Sequence, residues 1–358
     1  MARLTENRAR GIFRVAVAFA IFLFSSTTLW ADLGFYDPNN YYTKTGPAAA
    51  LAASMGNTAD LLARSSSSTI WRVSADLPER IENLGCFFGD NPWTFGKGGY
   101  ALSLGYAHLG FDEYGGTRLD DLYDISTADY DCAIDADISM FSASYGLLPR
   151  LDVGIVVPYI RVKSEGRRRV ISPAPREDCQ GDTVDGLGDV LLRLKYNLYR
   201  DDDRLLFWTL GSDVSLPTGD EKDWLGTGGP QYRLRTMLGK GIGRALPTME
   251  LGYFWSGVSD KFDAYEELDK DPGFERSDFN AFEYRLSVPI TVTSWYTFCP
   301  EIIGNHTEIF SDQMDLGIGN KFSIGKNLTV DVGARIPLND EGLRTSWFPM
   351  ITVEWKGF

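Results

Sequence analysis

The second half of this chain consists of short runs in which apolar and polar residues alternate. This alternation has the two-residue period of a β-strand. In the run 282–292, every even-numbered residue is apolar, whereas Glu283 and Arg285 stand between them. A sheet with one apolar face and one charged face needs an apolar phase on one side and water on the other. A membrane barrel has lipid outside and a wet lumen inside. The alternative, a secreted β-sandwich, would have to bury long aliphatic faces against a second sheet.

Twelve such runs follow one another, and their connections alternate between tight and long. The tight turns fall at 147–150, 200–203, 240–245, 293–294 and 325–327, and the long connections are rich in Gly, Pro and Asp. With an even strand number and both termini in the periplasm, tight turns are periplasmic and long loops external. The sequence predicts an all-β fold, a transmembrane antiparallel up-and-down β-barrel of about 12 strands, in the outer membrane of a Gram-negative bacterium. The predicted strands are 99–110, 133–147, 150–163, 186–199, 204–216, 231–241, 246–256, 280–292, 295–304, 313–324, 328–338 and 346–358.

The amino terminus is organised like a secretory signal peptide. Four arginines precede an apolar core at 15–24, and a more polar stretch leads to a predicted cleavage site after Ala31. The core is too short to span a bilayer as a helix. We therefore expect a cleaved signal peptide at 1–31, an N-terminal segment at 32–97 and the barrel at 98–358. The segment 32–97 fits a periplasmic segment, a plug that enters the barrel, or part of an extra strand pair near 70–75.

Charged residues at the inward positions of the predicted strands change sign from strand to strand. Opposite charges on neighbouring strands are therefore expected to pair along the lumen wall. These pairs have two interpretations. They could form a polarised conduit, as in channels whose selectivity is set by rings of charged side chains, or they could be ion pairs that only fill the interior. The predicted lumen-lining residues are Arg193, Lys195, Asp213, Arg233, Arg235, Glu250, Glu283, Arg285, Glu301, Asp331 and Arg335.

The chain has four cysteines, in a compartment that favours disulfides. Cys132 and Cys179 both fall in long external loops of the predicted topology, so we predict that they pair. Cys299 is predicted to face the lumen and Cys86 lies in the N-terminal segment. A second disulfide, between Cys86 and Cys299, is an alternative that the sequence does not decide.

Catalysis has little support in the sequence. Outer-membrane phospholipases place a Ser, a His and an orienting polar residue on the barrel wall, and this chain has only His108 and His306, both near the predicted outer rim. Neither has an identifiable Ser at matching depth. The acidic loops 111–131 and 256–278 match no calcium loop. We expect no enzyme, no metal and no cofactor, and a barrel that binds a partner without conducting is an alternative to a conduit.

Several motifs in order resemble a family of outer-membrane channels named after the meta-cleavage pathway of phenol degradation. The chain carries Gly186-Leu187-Gly188-Asp189, then Lys195-Tyr196 at a strand end, then Leu216-Pro217-Thr218-Gly219-Asp220 and Leu225-Gly226-Thr227-Gly228. The preceding stretch 151–159 (LDVGIVVPY) is also similar to that family. The resemblance covers about residue 99 to the end. It implies a barrel that lets small molecules, among them aromatic or hydrophobic compounds, cross the outer membrane.

The expected partners follow from location and charge. The chain has a formal net charge of −14, which argues against nucleic acid. Outer-membrane lipid would surround the barrel, and a basic run (Arg161, Lys163 and 167–169) at the outer rim is a candidate site for lipopolysaccharide phosphates. The terminal Phe358 is the expected signal to the barrel-assembly machinery. Because Ile351, Val353 and Trp355 are out of phase with Phe358, we expect a bulge near Gly357.

Overall fold

The computed structural model describes residues 70–72, 81–114, 117–118, 128–170, 183–220, 225–256, 280–307, 311–341 and 343–357. Within these ranges the regular elements are β-strands, and no helix there is long and apolar enough to cross a membrane. The predicted signal peptide, 1–31, lies outside the described residues. The strands are β1 (Ile70–Arg72), β2 (Ile81–Asn83), β3 (Tyr100–Tyr114), β4 (Thr117–Arg118), β5 (Ala128–Leu148), β6 (Leu151–Val170), β7 (Thr183–Leu187), β8 (Val190–Asp201), β9 (Leu206–Leu216), β10 (Gln231–Lys240), β11 (Thr248–Trp255), β12 (Ala281–Ser287), β13 (Ile290–Thr293), β14 (Tyr296–Thr307), β15 (Ser311–Ile324), β16 (Leu328–Pro337), β17 (Leu343–Thr345) and β18 (Phe348–Gly357).

Twelve strands form a closed antiparallel ring in which each pairs with the next along the chain. The short strands β7, β13 and β17 continue β8, β12 and β18 across breaks. The last strand, β18, pairs with the first barrel strand, β3, from Met350 opposite Ala107 to Gly357 opposite Tyr100, which closes the ring. The predicted fold is therefore confirmed. The pair β1–β2 forms a separate two-stranded sheet.

The two faces of the ring carry different side chains, as the alternation predicts. In β10, Arg233 and Arg235 point inward and are buried, whereas Tyr232 and Leu234 point outward and are exposed. An exposed apolar belt is stable only against lipid. Several aromatic residues are exposed on the same outer surface, namely Tyr100, Tyr159, Tyr253, Trp255, Trp295, Trp347 and Trp355.

Leu104 is among the most exposed apolar residues of the outer face, with 64% of its surface accessible. Replacing Leu104 with Arg should lower the free energy of unfolding by about 2–4 kcal/mol, the cost of a cation at the bilayer midplane. Urea titration in lipid vesicles measures this. The matched control is Leu148→Arg at the end of β5, next to the β5–β6 turn, where interfacial water should reduce the loss to about 0–1 kcal/mol. Equal losses would argue against a lipid-facing belt at Leu104.

The structure settles two registers on which the sequence is ambiguous. In β5, Ile138 and Met140 are buried in the interior, whereas Phe141 and Tyr145 are exposed on the outer face. In β18, Trp355 and its apolar neighbours point outward and the ladder with β3 runs without a shift to Gly357. The expected bulge is thus absent from the described part of this ladder, and Phe358 lies outside the described residues.

The hairpin formed by β5 and β6 is much longer than the barrel wall needs. Its strands have 21 and 20 residues, about twice the 9–11 residues that cross a bilayer. The turn between them is tight and lies at the periplasmic end, so the excess length projects beyond the outer rim.

Candidate functional site: the barrel interior

Residues 84–95, called the inner segment below, run through the interior of the ring. Phe87 and Phe88 are completely buried there. The carboxylate of Glu301 on β14 accepts backbone N–H groups from Phe87, Phe88 and Gly89 at 2.6, 2.9 and 3.0 Å. Successive N–H groups that converge on one anion form a strong, charge-assisted contact. Glu301 therefore fixes the first half of the inner segment to the wall.

Asp90, the next residue of the inner segment, is surrounded by three cations of the wall. Its carboxylate lies 3.1 Å from Arg193, 3.2 Å from Lys195 and 3.2 Å from Arg235. Its backbone N–H donates to Glu250 at 3.1 Å. Buried charges are tolerated when they are paired, and Asp90 supplies a shared partner for cations from β8 and β10.

Arg235 connects Asp90 to the rest of this buried ion-pair network. Its guanidinium lies 2.9 Å from Asp213 on β9 and 3.4 Å from Glu250 on β11. Arg285 on β12 contacts the same Glu250 at 3.1 Å, and Arg193 contacts Asp213 at 3.3 Å. Charges of alternating sign thus pair between neighbouring strands from β8 to β12.

The other predicted lumen residues are also on the inward face, in separate pairs. These pairs are Arg233 with Glu283 at 2.9 Å, Asp331 with Lys321 at 3.0 Å, and Arg335 with Asp315. Lys321 additionally donates to the backbone oxygen of Cys86 at 2.9 Å, which ties it to the inner segment. Lys321 and Asp315 were not predicted, although their odd positions in β15 place them on the inward face. No sequence pattern around Asp90 predicts that it contacts the lumen cations.

The second half of the inner segment contacts the wall near the periplasmic turns. The backbone oxygen of Pro92 accepts hydrogen bonds from Asn197 at 3.1 Å and Thr209 at 2.7 Å. The Trp93 ring packs 5.8 Å from the ring of Phe207. Phe95 donates its N–H to the carboxylate of Asp152 at 2.9 Å. The inner segment is therefore held along its whole length.

In the remaining sector of the inner wall, formed by β3, β5, β6 and β18, the inward positions of the outer half are apolar, whereas those nearer the periplasmic end are polar or charged, among them Asp152, Glu354 and Lys356. Phe87 and Phe88 of the inner segment belong to the same buried cluster as this sector. The interior therefore combines an apolar wall on one side with an ion-pair network on the other. The apolar wall residues are Ala107, Leu109, Phe111, Ala136, Ile138, Met140, Val156, Ile160, Val162, Phe348 and Met350.

The basic run of the projecting hairpin lies opposite acidic positions. The β5–β6 register places Arg161 opposite Asp137 and Lys163 opposite Asp135. Farther out, Arg167 and Arg169 stand opposite Asp131 and Asp129 in the same backbone register. For Arg161 and Lys163, this register puts an aspartate beside each cation, which would weaken its attraction for anions.

The cysteines fall into two groups. Cys86 of the inner segment and Cys299 of β14 are both buried, and both are free thiols, so the second bridge is not formed. Cys132 lies in β5 opposite Gly166 of β6. Cys179 is outside the described residues, so the disulfide between Cys132 and Cys179 stays a prediction.

Each histidine forms a hydrogen bond with an aspartate on the neighbouring strand. His108 Nδ1 lies 2.9 Å from Asp137, which also accepts the hydroxyl of Tyr106 at 2.6 Å. His306 Nδ1 lies 2.6 Å from Asp312. Both imidazoles are partly exposed on the outside of the barrel, away from the inner segment.

Solved structures with a similar fold are outer-membrane proteins. An outer-membrane channel from Pseudomonas putida F1 has a TM-score of 0.52 at 13% identity, with 73% of this chain and 96% of that chain covered. The translocator domain of the autotransporter NalP from Neisseria meningitidis has a TM-score of 0.45 at 9% identity, covering 88% and 99%. The toluene transporter TbuX from Ralstonia pickettii has a TM-score of 0.40 at 11% identity, covering 74% and 90%.

At sequence identities this low, structural similarity shows only the fold. Of the three structures, the Pseudomonas putida channel, with a TM-score of 0.52, is the one that supports a shared fold. The chain is an outer-membrane β-barrel by this likeness and by its exposed apolar belt. No curated protein matches the chain by sequence. Residues 144–346, more than half of the chain, match the profile of the family described as "Putative MetA-pathway of phenol degradation", and the chain belongs to this family.

Proposed function

We propose that the protein is a passive outer-membrane channel for small molecules, with aromatic or hydrophobic compounds among its solutes. The observation that carries this proposal is the apolar sector of the inner wall. General porins have a polar, water-filled lumen, whereas here the inward positions in the outer half of four neighbouring strands are apolar. An apolar wall lowers the cost of moving a hydrophobic solute out of lipid or water. The family description, which names phenol degradation, agrees with this solute class.

On this proposal, the arrangement in which the inner segment lies inside the ring is the closed state of the channel. Passage requires the inner segment to leave the apolar wall, at least in part. Its contacts are ion pairs and hydrogen bonds rather than covalent bonds, since both interior cysteines are free. The ion-pair network would then offer fixed charges on one side of the opened path, and these charges would orient polar groups of the solute.

The test is transport by the purified and the cellular protein. Planar bilayers containing the barrel should show rare openings of small conductance. Cells that produce the protein should take up radiolabelled toluene faster than matched cells without it, because lipopolysaccharide slows hydrophobic solutes. If the protein shows no conductance and adds no uptake, the channel proposal is contradicted, and a structural or adhesive barrel remains.

Two further partners belong to this proposal. Lipopolysaccharide phosphates would bind Arg161 and its basic neighbours on the projecting hairpin, although the aspartates opposite limit their strength. Phe358 would present the C-terminal strand to the barrel-assembly machinery. No enzymatic activity is proposed.

We also propose the disulfide between Cys132 and Cys179. A non-reducing peptide map of the outer-membrane protein should contain one peptide pair linked through these residues, because the compartment is oxidising. Replacing Cys179 with Ser should leave Cys132 open to alkylation without denaturant. Recovery of Cys132 as an unlinked thiol in the unaltered protein would contradict the pairing.

A further inference from the structure

Three of the sequence motifs that resemble the channel family meet at one place in the structure. Asp189, which ends the first motif, lies at the break between β7 and β8. Its carboxylate accepts the backbone N–H of Gly219 at 3.0 Å, and the backbone N–H and hydroxyl of Thr227 at 3.0 and 3.1 Å. A Cβ at Gly226 would overlap with this carboxylate, so a glycine there lets the chain come close. One acid of the wall thus binds the second and the third motif together.

The second and third motifs belong to the connection 217–230 between β9 and β10, called the β9–β10 loop below. Thr218 attaches the loop to the wall a second time. Its hydroxyl donates to the backbone oxygen of Gly188 at 2.9 Å and accepts the N–H of Val190 at 2.9 Å. The loop therefore supplies hydrogen-bond partners at an interruption of the sheet, where backbone groups need them.

The same loop carries Leu225 into the interior. β7 pairs with the outer part of β6, 159–163, and places Gly186 opposite the inward residue Ile160. A Cβ at Gly186 would lie 2.7 Å from Leu225 Cδ1, so Leu225 packs directly on the inward side of this glycine. Leu225 is 5% exposed and belongs to the buried cluster that contains Ile160 and Val162. A residue of an external loop therefore covers the outer end of the apolar wall.

The attachment of the β9–β10 loop is local. Among its described residues, only Leu225 belongs to the apolar cluster of the interior. Segments with few buried apolar contacts open at a lower free energy than the strands around them. The hydrogen bonds to Asp189 are charge-assisted and therefore strong. Asp189 consequently decides how often Leu225 leaves the wall.

We propose that the β9–β10 loop is a lid over the outer end of the apolar wall, with Leu225 as the closing residue and Asp189 as the positioning residue. This inference rests on the proposed channel function and adds a second closure to that made by the inner segment. A hydrophobic solute that enters from outside must displace Leu225 to reach the apolar wall.

The first test measures how often the lid opens. Leu225→Cys is made in the full chain with Cys132→Ser and Cys179→Ser, and a charged maleimide that cannot cross membranes is added to intact cells. Adding Asp189→Asn should raise the labelling rate of the introduced thiol about tenfold, because hydrogen bonds to a charged group shift a population by about that factor. The matched control is Asp185→Asn, which removes a carboxylate of β7 that accepts the Tyr159 hydroxyl instead of the loop. It should leave the rate unchanged.

Labelling of Cys86 in the same samples separates a lid from general loosening. Cys86 is buried in the inner segment, so release of the lid alone should not expose it. An equal rise at Cys86 and at the introduced thiol would overturn the proposal, as would a rate that does not respond to Asp189→Asn. If Asp189→Asn does not fold, Thr227→Val removes one of the three donors and should give a smaller rise.

The second test locks the lid to the wall. Gly186→Cys together with Leu225→Cys, in the same Cys132→Ser and Cys179→Ser background, should form a disulfide that is identified by peptide mass. Toluene uptake should then fall to the level of cells without the protein, and a phosphine reductant should restore it. Leu225→Cys alone is the control and should not respond to the reductant. Undiminished uptake through the locked barrel would overturn the lid.

Failure of this inference and failure of the channel are distinguishable. If the unaltered protein adds toluene uptake and the locked variant keeps it, the channel stands and the lid is wrong. If Asp189→Asn raises labelling of the introduced thiol but the unaltered protein adds no uptake, the loop opens as proposed and the channel is wrong.

Discussion

Changing Asp90 to Asn together with Glu301 to Gln is expected to open the barrel. Both substitutions keep shape and remove the charges that bind the inner segment: Asp90 faces three cations within 3.2 Å, and Glu301 accepts three backbone N–H groups. Breaking one buried ion pair costs about 3–5 kcal/mol, and each 1.4 kcal/mol changes a population about tenfold. The displaced state should therefore become more than about a hundredfold more populated.

Single-channel recording and liposome swelling with small sugars measure this change, as longer openings and faster swelling. The matched control is Asp315→Asn, which removes a carboxylate that pairs with Arg335 within the wall. It should leave the conductance near that of the unaltered protein. An inner segment held mainly by its aromatic residues would give the opposite result, with no gain in conductance from the double variant.

Changing Arg235 to Ala is expected to cause the largest loss of stability among single substitutions of the interior. The Arg235 side chain is 1% exposed and contacts Asp90, Asp213 and Glu250. Its removal takes away a cation shared by three buried carboxylates. We expect the free energy of unfolding to fall by about 3–5 kcal/mol.

Urea unfolding in vesicles, followed by electrophoretic mobility of the folded and unfolded forms, measures the loss. The control is Arg204→Ala, which breaks a 3.7 Å pair with Asp201 in which the Arg side chain is 45% exposed. Exposed pairs contribute about 0–1 kcal/mol. Similar losses in both variants would mean that the interior is well hydrated and that Arg235 is not central.

The barrel could be predicted from the sequence because lipid outside and charges inside impose a period of two on most strands. β10 shows this clearly, with Arg233 and Arg235 inward and Leu234 outward. In β5 the contrast disappears, since Ile138 and Met140 face the apolar sector while Phe141 faces lipid. Where both sides of the wall are apolar, periodicity cannot assign the faces.

A plug that enters the barrel was one of three alternatives for 32–97, but the sequence could not select it, because the residues that hold the inner segment are distant in sequence. Phe87 and Glu301 are 214 residues apart, and no repeat or composition of 84–95 marks Asp90 as a partner of three cations. The charged wall residues were predictable from strand parity, but their common partner was not. Gly317 and Gly319 gave a usable signal, since two inward glycines in one strand indicate a close approach.

The seam between β3 and β18 constrains how the protein is made. Since β18 pairs with β3, hydrogen bonding around the ring is incomplete until the ten residues of β18 have been synthesised and exported. Until then β3 and β16 each present an edge of unsatisfied N–H and C=O groups, and lipid offers them no partner. A nascent chain must therefore have both edges shielded until β18 arrives, and a chain that lacks β18 would be a target for degradation rather than a smaller pore.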